Sequence, residues 1–117
     1  MEESYLPHER LRKKQEFVLL YTKGKRYIGK YIVLIYLSND LYFSRMSAVV
    51  SRRHGNAVHR NRLKRRLRAL FRRNKNLLDL PMDIILIPRL YCRDASWKSL
   101  LRDYLTAVQA IGQNQTS

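Results

Sequence analysis

The chain has 117 residues, with 24 Lys+Arg against 9 Asp+Glu and a formal net charge of +15. A hydrophobic share of 45% excludes a disordered polybasic tail, since that much apolar material can fill a core, and the length fits one domain (1–117, with an ordered core expected at about 8–112). The single cysteine, Cys92, excludes an internal disulfide and a multi-cysteine zinc site, and suits a reducing cytoplasm.

Residues 1–5 hold neither a basic stretch nor an apolar run, so no secretory leader is expected. The longest apolar run, residues 31–37, falls far short of the ~20 residues of a membrane helix. A cytoplasmic protein with no membrane partner is expected. Residues 13–22 read as a short helix with Phe17, Leu20 and Tyr21 on one face, and Gly24 is placed to end it in a left-handed conformation. Residues 30–38, rich in β-branched and aromatic side chains, read as a strand. Tyr31, Val33, Ile35 and Leu37 point one way, and Ile32, Leu34 and Tyr36 the other. With both faces apolar, the strand is covered twice or one face binds something.

Asn39-Asp40 supplies turn chemistry, and residues 42–50 are expected to run back as a second strand. Asn56 suits the N-cap of a helix reaching about residue 74, whose core stripe is Leu63, Leu67, Leu70 and Phe71. Residues 82–88 show no polar alternation and read as a central strand. Asp94 or Ser96 caps a last helix with Trp97, Leu100, Leu101, Tyr104, Leu105, Val108 and Ile111 inward. Gly112 stops it and residues 113–117 fray. The sum is an α/β (α+β) sandwich around a small mixed sheet, in the order α-β-β-α-β-α.

The charge is patterned. Twelve of the 24 basic residues lie from Arg45 to Lys75, and no acid stands between Asp40 and Asp79. Eight more fall between Arg10 and Lys30, while the chain from Asp79 onward is balanced. On the helix after Asn56, Asn61, Arg65, Arg68 and Arg72 form one row with Lys64 beside it, opposite the leucine stripe; Arg62, Arg66 and Arg73 form a flank. Like charges at i, i+4 cost a few tenths of a kcal/mol each in an isolated helix. A solvated surface helix normally mixes signs, and this one does not. Arginine grips phosphate bidentately and stacks on bases, so the row points to nucleic acid. The free N–H groups at residues 55–58 add an anion site at the helix start.

The run Arg52-Arg53-His54-Gly55-Asn56-Ala57-Val58-His59-Arg60-Asn61-Arg62-Leu63-Lys64-Arg65-Arg66 continues to Arg72 and resembles the signature of the protein subunit of bacterial ribonuclease P. Arg10-Leu11, Glu16-Phe17, Gly24 and the stretch from Asp83 to Pro88-Arg89 agree, so the resemblance spans roughly residues 10–110. Arg52-Arg53 replaces a pair that is often lysine in that family, and Ala69 replaces a common acid; neither change removes a phosphate-binding group.

The resemblance implies an RNA-binding subunit of an endoribonuclease that removes the 5′ leader from precursor tRNA, with the chemistry done by a catalytic RNA and its Mg²⁺. No catalytic residue, bound metal or cofactor of its own, or protein partner is implied. It also implies a left-handed β-α-β crossover through the basic helix. Arg52, Arg53, Asn56, Arg60, Asn61, Arg62, Arg65, Arg66 and Arg72 are expected on the catalytic RNA. The single-stranded leader is expected in a cleft between sheet and first helix. Aromatic platforms and cationic walls suit that task, with Phe17, Tyr21, Tyr36, Lys64, Arg68 and Arg89 as candidates; the bland alternative for each aromatic is core packing.

An independent nuclease would need an acid–base pair or clustered carboxylates. His8, His54 and His59 make no convincing pair, Asp79 and Asp83 suit capping, and Cys92 reads as an idle thiol. A general RNA chaperone or ribosomal-type RNA-binding protein is the alternative function, and a cationic protein on anionic membranes is a weaker one.

Overall fold

The computed structural model describes residues 7–116, without the side chains at positions 91, 93 and 113–116. The elements follow as α1 (Lys14–Lys23), β1 (Lys25–Ile28), β2 (Ile32–Ser38), β3 (Arg45–Ala48), α2 (Ala57–Asn74), β4 (Met82–Pro88) and α3 (Trp97–Thr116). The strands make one mixed sheet in the order β1-β2-β4-β3. β2 runs antiparallel to β1 and β4, while β3 runs parallel to β4 and is joined to it through α2. The unalternating run of β4 is therefore central, and Met82, Asp83, Ile84, Ile85 and Leu86 are all buried.

Both apolar faces of β2 are used. Ile32, Leu34 and Tyr36 join the larger core with Leu63, Leu67, Leu70 and Phe71 of α2 and Leu100, Tyr104 and Ile111 of α3. Each such side chain removed from water contributes roughly 1.5–3 kcal/mol, which offsets the repulsion along the cationic side of α2. On the other face Ile35 and Ile85 meet Leu11 and Leu20, so α1 closes a smaller core.

The sandwich and its mixed sheet are as the sequence indicates, with several local differences. First, β1 is an additional strand, making the order α-β-β-β-α-β-α. Its residues Lys25-Arg26-Tyr27-Ile28 lie on an edge and carry the charge edge strands tolerate, which hides them from a hydrophobic pattern. Second, β3 does not pair with β2, because β4 is inserted between them. The Asn39 turn is real: its Oδ1 accepts the Leu41 N–H at 2.9 Å.

Third, Gly24 is extended, at φ −70° and ψ 156°, rather than left-handed. A Cβ there would collide with the Leu20 carbonyl and stand 3.0 Å from Ile35 Cγ2, so the residue is needed for close approach. Fourth, α3 is capped by Ser96, whose Oγ accepts the Ser99 N–H at 3.1 Å, and it continues past Gly112. Tyr31 lies just before β2 and packs against the larger core instead of beside Val33, and Leu105 stays 36% exposed.

Candidate nucleic-acid interface

The entry to α2 is fixed from both sides. Ser51 caps a single turn over Arg52–His54, Gly55 takes φ 115°, and the Asn56 side-chain oxygen accepts the His59 N–H at 3.1 Å. The His54 ring is buried. Its Nδ1 accepts the Ser51 N–H at 3.1 Å, so the proton resides on Nε2, which donates to the Pro88 carbonyl at 2.7 Å. This imidazole fastens the Arg52-Arg53 turn, both of whose arginines are exposed, to the end of β4.

With the leucine stripe buried, Asn61, Arg62, Arg65 and Arg68 stand exposed, and Lys64 and Arg72 are half-buried. No cation of α2 forms an ion pair with any described residue; the ion pairs lie elsewhere, at Arg45–Glu16, Arg45–Asp83 and Lys75–Glu9. A face this charged and this unpaired has the electrostatics that suit an external polyanion. Two α2 arginines are tied locally. Arg66 donates to the Ala95 carbonyl at 2.8 Å, and burial, with Arg62 close by, draws its guanidinium below its usual pKa. Arg73 lies 5.2 Å from the centre of the Trp97 ring, within cation–π range. Arg60, by contrast, keeps a buried Nε with no hydrogen-bond partner among the described residues.

The second face of the sheet is only partly roofed. Across the pairing register Ile28, Val33 and Ile87 share the side on which Ile35 and Ile85 meet α1. Ile28 is 68% exposed, Val33 and Ile87 are half-buried, and Phe17, Val49 and Ile87 border the smaller core. α1 is pinned over this face by Arg45, which reaches Glu16 at 2.5 Å and Asp83 at 2.6 Å, with Nε on Asp83 Oδ1 at 2.9 Å. The Asn39 side-chain amide also donates to Asp83, at 2.8 Å. Burial alone would raise the Glu16 carboxyl, but the Lys13 N–H and Arg45 outweigh it and hold it below the ordinary value.

The six residues expected at a leader cleft separate. Phe17 is half-buried at the edge of the α1 face, and Tyr21 is exposed one turn on. Tyr36 is a correction: it is 2% exposed, within the larger core on the opposite face, and has no surface to offer a base. Lys64 and Arg68 belong to α2, which packs on the face away from α1. Arg89 follows β4, and its guanidinium donates to the Gly29 carbonyl at 3.0 Å, a bond that supports the turn between β1 and β2.

Sequence reasoning missed Arg45 and the apolar floor of Val33, Val49 and Ile87. Their only signal is the neighbourhood of β4, which no local pattern reveals. Cys92 is fully buried, as an idle thiol should be; burial pushes it up to about 11, with Arg66 pulling the other way. Among the described residues no three His, Cys, Asp or Glu side chains gather as a metal set, and no helix is long and apolar enough to cross a membrane.

Shape and charge thus define a class: a small α+β sandwich with an unpaired cationic helix on one side and a half-roofed apolar sheet face on the other. A family model described as Ribonuclease P matches residues 6–112. The Ribonuclease P protein component of Thermotoga maritima is 43% identical over 89 residues, covering 76% of each chain. That of Syntrophomonas wolfei is 31% identical over 103 residues, covering 88% of this chain and 87% of the relative. The solved structure of the RNase P protein from Thermotoga maritima superposes with a TM-score of 0.79 at 33% identity, over 87% of this chain and 96% of that one. The RNase P protein of Staphylococcus aureus gives 0.77 at 31%, over 88% and 94%. The chain belongs to the ribonuclease P protein component family.

Proposed function

We propose that the chain serves tRNA 5′ maturation as the protein subunit of ribonuclease P, docking α2 on a catalytic RNA and holding the single-stranded leader of precursor tRNA on the α1 side of the sheet. The observation that carries this reading is the unpaired cationic face of α2. Arg52, Arg53, Asn61, Arg62, Arg65 and Arg72 take RNA phosphates there, and Lys64 and Arg68 join them because they share that layer. Neutralising backbone phosphates supplies most of such affinity and makes it fall steeply with salt.

The leader is assigned to the partly open sheet face. Phe17 supplies a stacking surface and Tyr21 a second at the margin, each stacked base being worth ~1–3 kcal/mol. Arg45, already committed to two carboxylates, holds α1 at its height above Ile87 and Val49. The bond breaking is assigned to the RNA and Mg²⁺, with the protein contributing binding and charge neutralisation. Precursor-tRNA cleavage by the cognate catalytic RNA at low Mg²⁺, with and without this protein, is the test. Stimulation is expected, and no stimulation sinks the proposal.

A further inference from the structure

One concave site on the molecule is left unexplained by a row of phosphate contacts. A cleft of about 180 Å³ opens between α2 and the turn over Leu90–Asp94, lined by His59, Arg62, Leu63, Arg66 and Asp94. His59, Arg62, Leu63 and Arg66 follow one another along a single side of α2 at the spacing of successive turns. Leu63 is 1% exposed, so it belongs to the core and only closes the back of the cleft. The rim is cationic on the helix side and carries one carboxylate opposite.

That carboxylate is the informative part. A site evolved for phosphate alone gains nothing from Asp94, whose charge opposes the ligand. Asp94 is exposed, and it forms no ion pair with Arg62, Arg66 or any other described residue, so it is not there to neutralise them. A group that wants cations, a flat guanidinium to stack on and a carboxylate within one small cleft is a nucleotide. Its phosphate takes Arg62 and His59, its base lies against the face of the Arg66 guanidinium, and its edge meets Asp94. Among the four bases only guanine offers two adjacent donors, N1–H and N2–H, to both oxygens of one carboxylate. Adenine and cytosine offer one donor next to a lone pair that repels the second oxygen, and uracil offers one donor between two carbonyls.

We propose that this cleft receives a single unpaired guanosine presented by RNA, read by Asp94. The proposal rests on the reading of α2 as an RNA-binding surface and adds a base-specific contact to it. It turns a sliding electrostatic grip into a registered one, because phosphates position while base edges specify.

Titration of the full chain with GMP, AMP, CMP and UMP, followed by amide NMR shifts at residues 59–66 and 94, tests it. All four carry the same phosphate, so any general effect of an anion on this cationic fold cancels. GMP is expected to bind about tenfold tighter than the others. Asp94→Asn should erase that preference by weakening GMP severalfold, whereas Arg62→Ala should weaken all four alike. Equal binding of the four, or tighter binding of all of them by Asp94→Asn, would mean a phosphate site and overturn the proposal. The oligonucleotides UUGUU and UUAUU separate the sources of the ligand. A preference for UUGUU with affinity above that of GMP supports RNA, while GMP binding as well as UUGUU overturns that assignment. Stimulation of the catalytic RNA by the unaltered protein is scored separately, so loss of the base preference with stimulation intact refutes the guanosine site alone.

Discussion

Asp103 and Tyr31, far apart in sequence, meet where α3 crosses the turn between β1 and β2: Asp103 Oδ2 accepts the Tyr31 N–H at 2.8 Å. The same carboxylate takes the N–H groups of Lys30 at 3.0 Å and Ile32 at 3.1 Å. One side chain thereby satisfies three backbone donors and anchors the β1–β2 turn to the last helix. Gly29 is the residue that lets it approach, since a Cβ there would stand 2.7 Å from both Asp103 oxygens. Gly29→Ala is expected to cost about 1–3 kcal/mol through crowding. Asp103→Ala should cost a similar roughly 1–3 kcal/mol through the orphaned donors. Urea unfolding of both variants checks this; two unchanged midpoints would show that the turn holds without the clamp.

The Tyr104 hydroxyl is fully buried in the larger core and has no hydrogen-bond partner among the described residues, and burial pushes its phenol well above the ordinary tyrosine value. Tyr104→Phe should therefore leave stability unchanged or raise it by up to about 1 kcal/mol, since it removes an uncompensated desolvation. Tyr104→Ala should cost about 3–5 kcal/mol as a cavity mutation. A marked loss in the phenylalanine variant would reveal a partner for the hydroxyl.

Glu16 carries the pH dependence of the α1 contact. Its folded carboxyl lies below its free value of 4.5, so the unfolded chain takes up the proton first as acid is added. The stability this group contributes is complete above the free value and is lost as pH falls through the lower, folded one. For an ion pair with side chains still 19% and 20% exposed, the amount is about 0.2–1 kcal/mol. Glu16→Gln should flatten the stability profile in that acid window and leave it parallel to the parent at neutrality. An unchanged slope at acid pH would place the titration elsewhere.

RNA binding separates the two sides of the molecule. Arg65→Ala with Arg68→Ala should lower the slope of log affinity against log salt by about 0.7–0.9 for each phosphate no longer neutralised. An unaltered slope would mean that these side chains stay in solvent in the complex.

Phe17→Ala should weaken leader-bearing precursor more than mature tRNA, by about tenfold for the removal of one stack. Tyr36→Ala, by contrast, should unfold the larger core and weaken both substrates alike. Equal losses for the Phe17 variant would return Phe17 to a packing role.

The helices and their faces were legible because they repeat. Leu63, Leu67, Leu70 and Phe71 recur with the helical period, so the buried stripe of α2 and the cationic face opposite it follow together from one pattern. β2 was legible as a strand but not in its allegiance. With Ile32, Leu34 and Tyr36 as apolar as Val33, Ile35 and Leu37, nothing local says which set lies under α2 and which under the short α1. That is why Phe17 and Tyr36 looked alike as aromatics. Arg45 was unreadable for a different reason: among 24 basic residues it stands out only through Glu16 and Asp83, which β4 brings beside it. The short, charged edge strand β1 falls between the two periodicities.

The insertion of β4 between β2 and β3 also sets an order of events during synthesis. Ile35 waits for Ile85, and Ser47 for the same residue on its other side. As the chain leaves the ribosome, α2 with all its arginines is therefore outside before the strand that gives its leucines a sheet to rest on. Until then the nascent protein is an exposed polycation with an open hydrophobic stripe, produced beside a particle made largely of RNA. Its assembly depends on non-local pairings of the kind that form slowly. A chain ending before β4 would hold the β1–β2 hairpin, a solitary β3 and the entire positive surface with no sheet core to carry it.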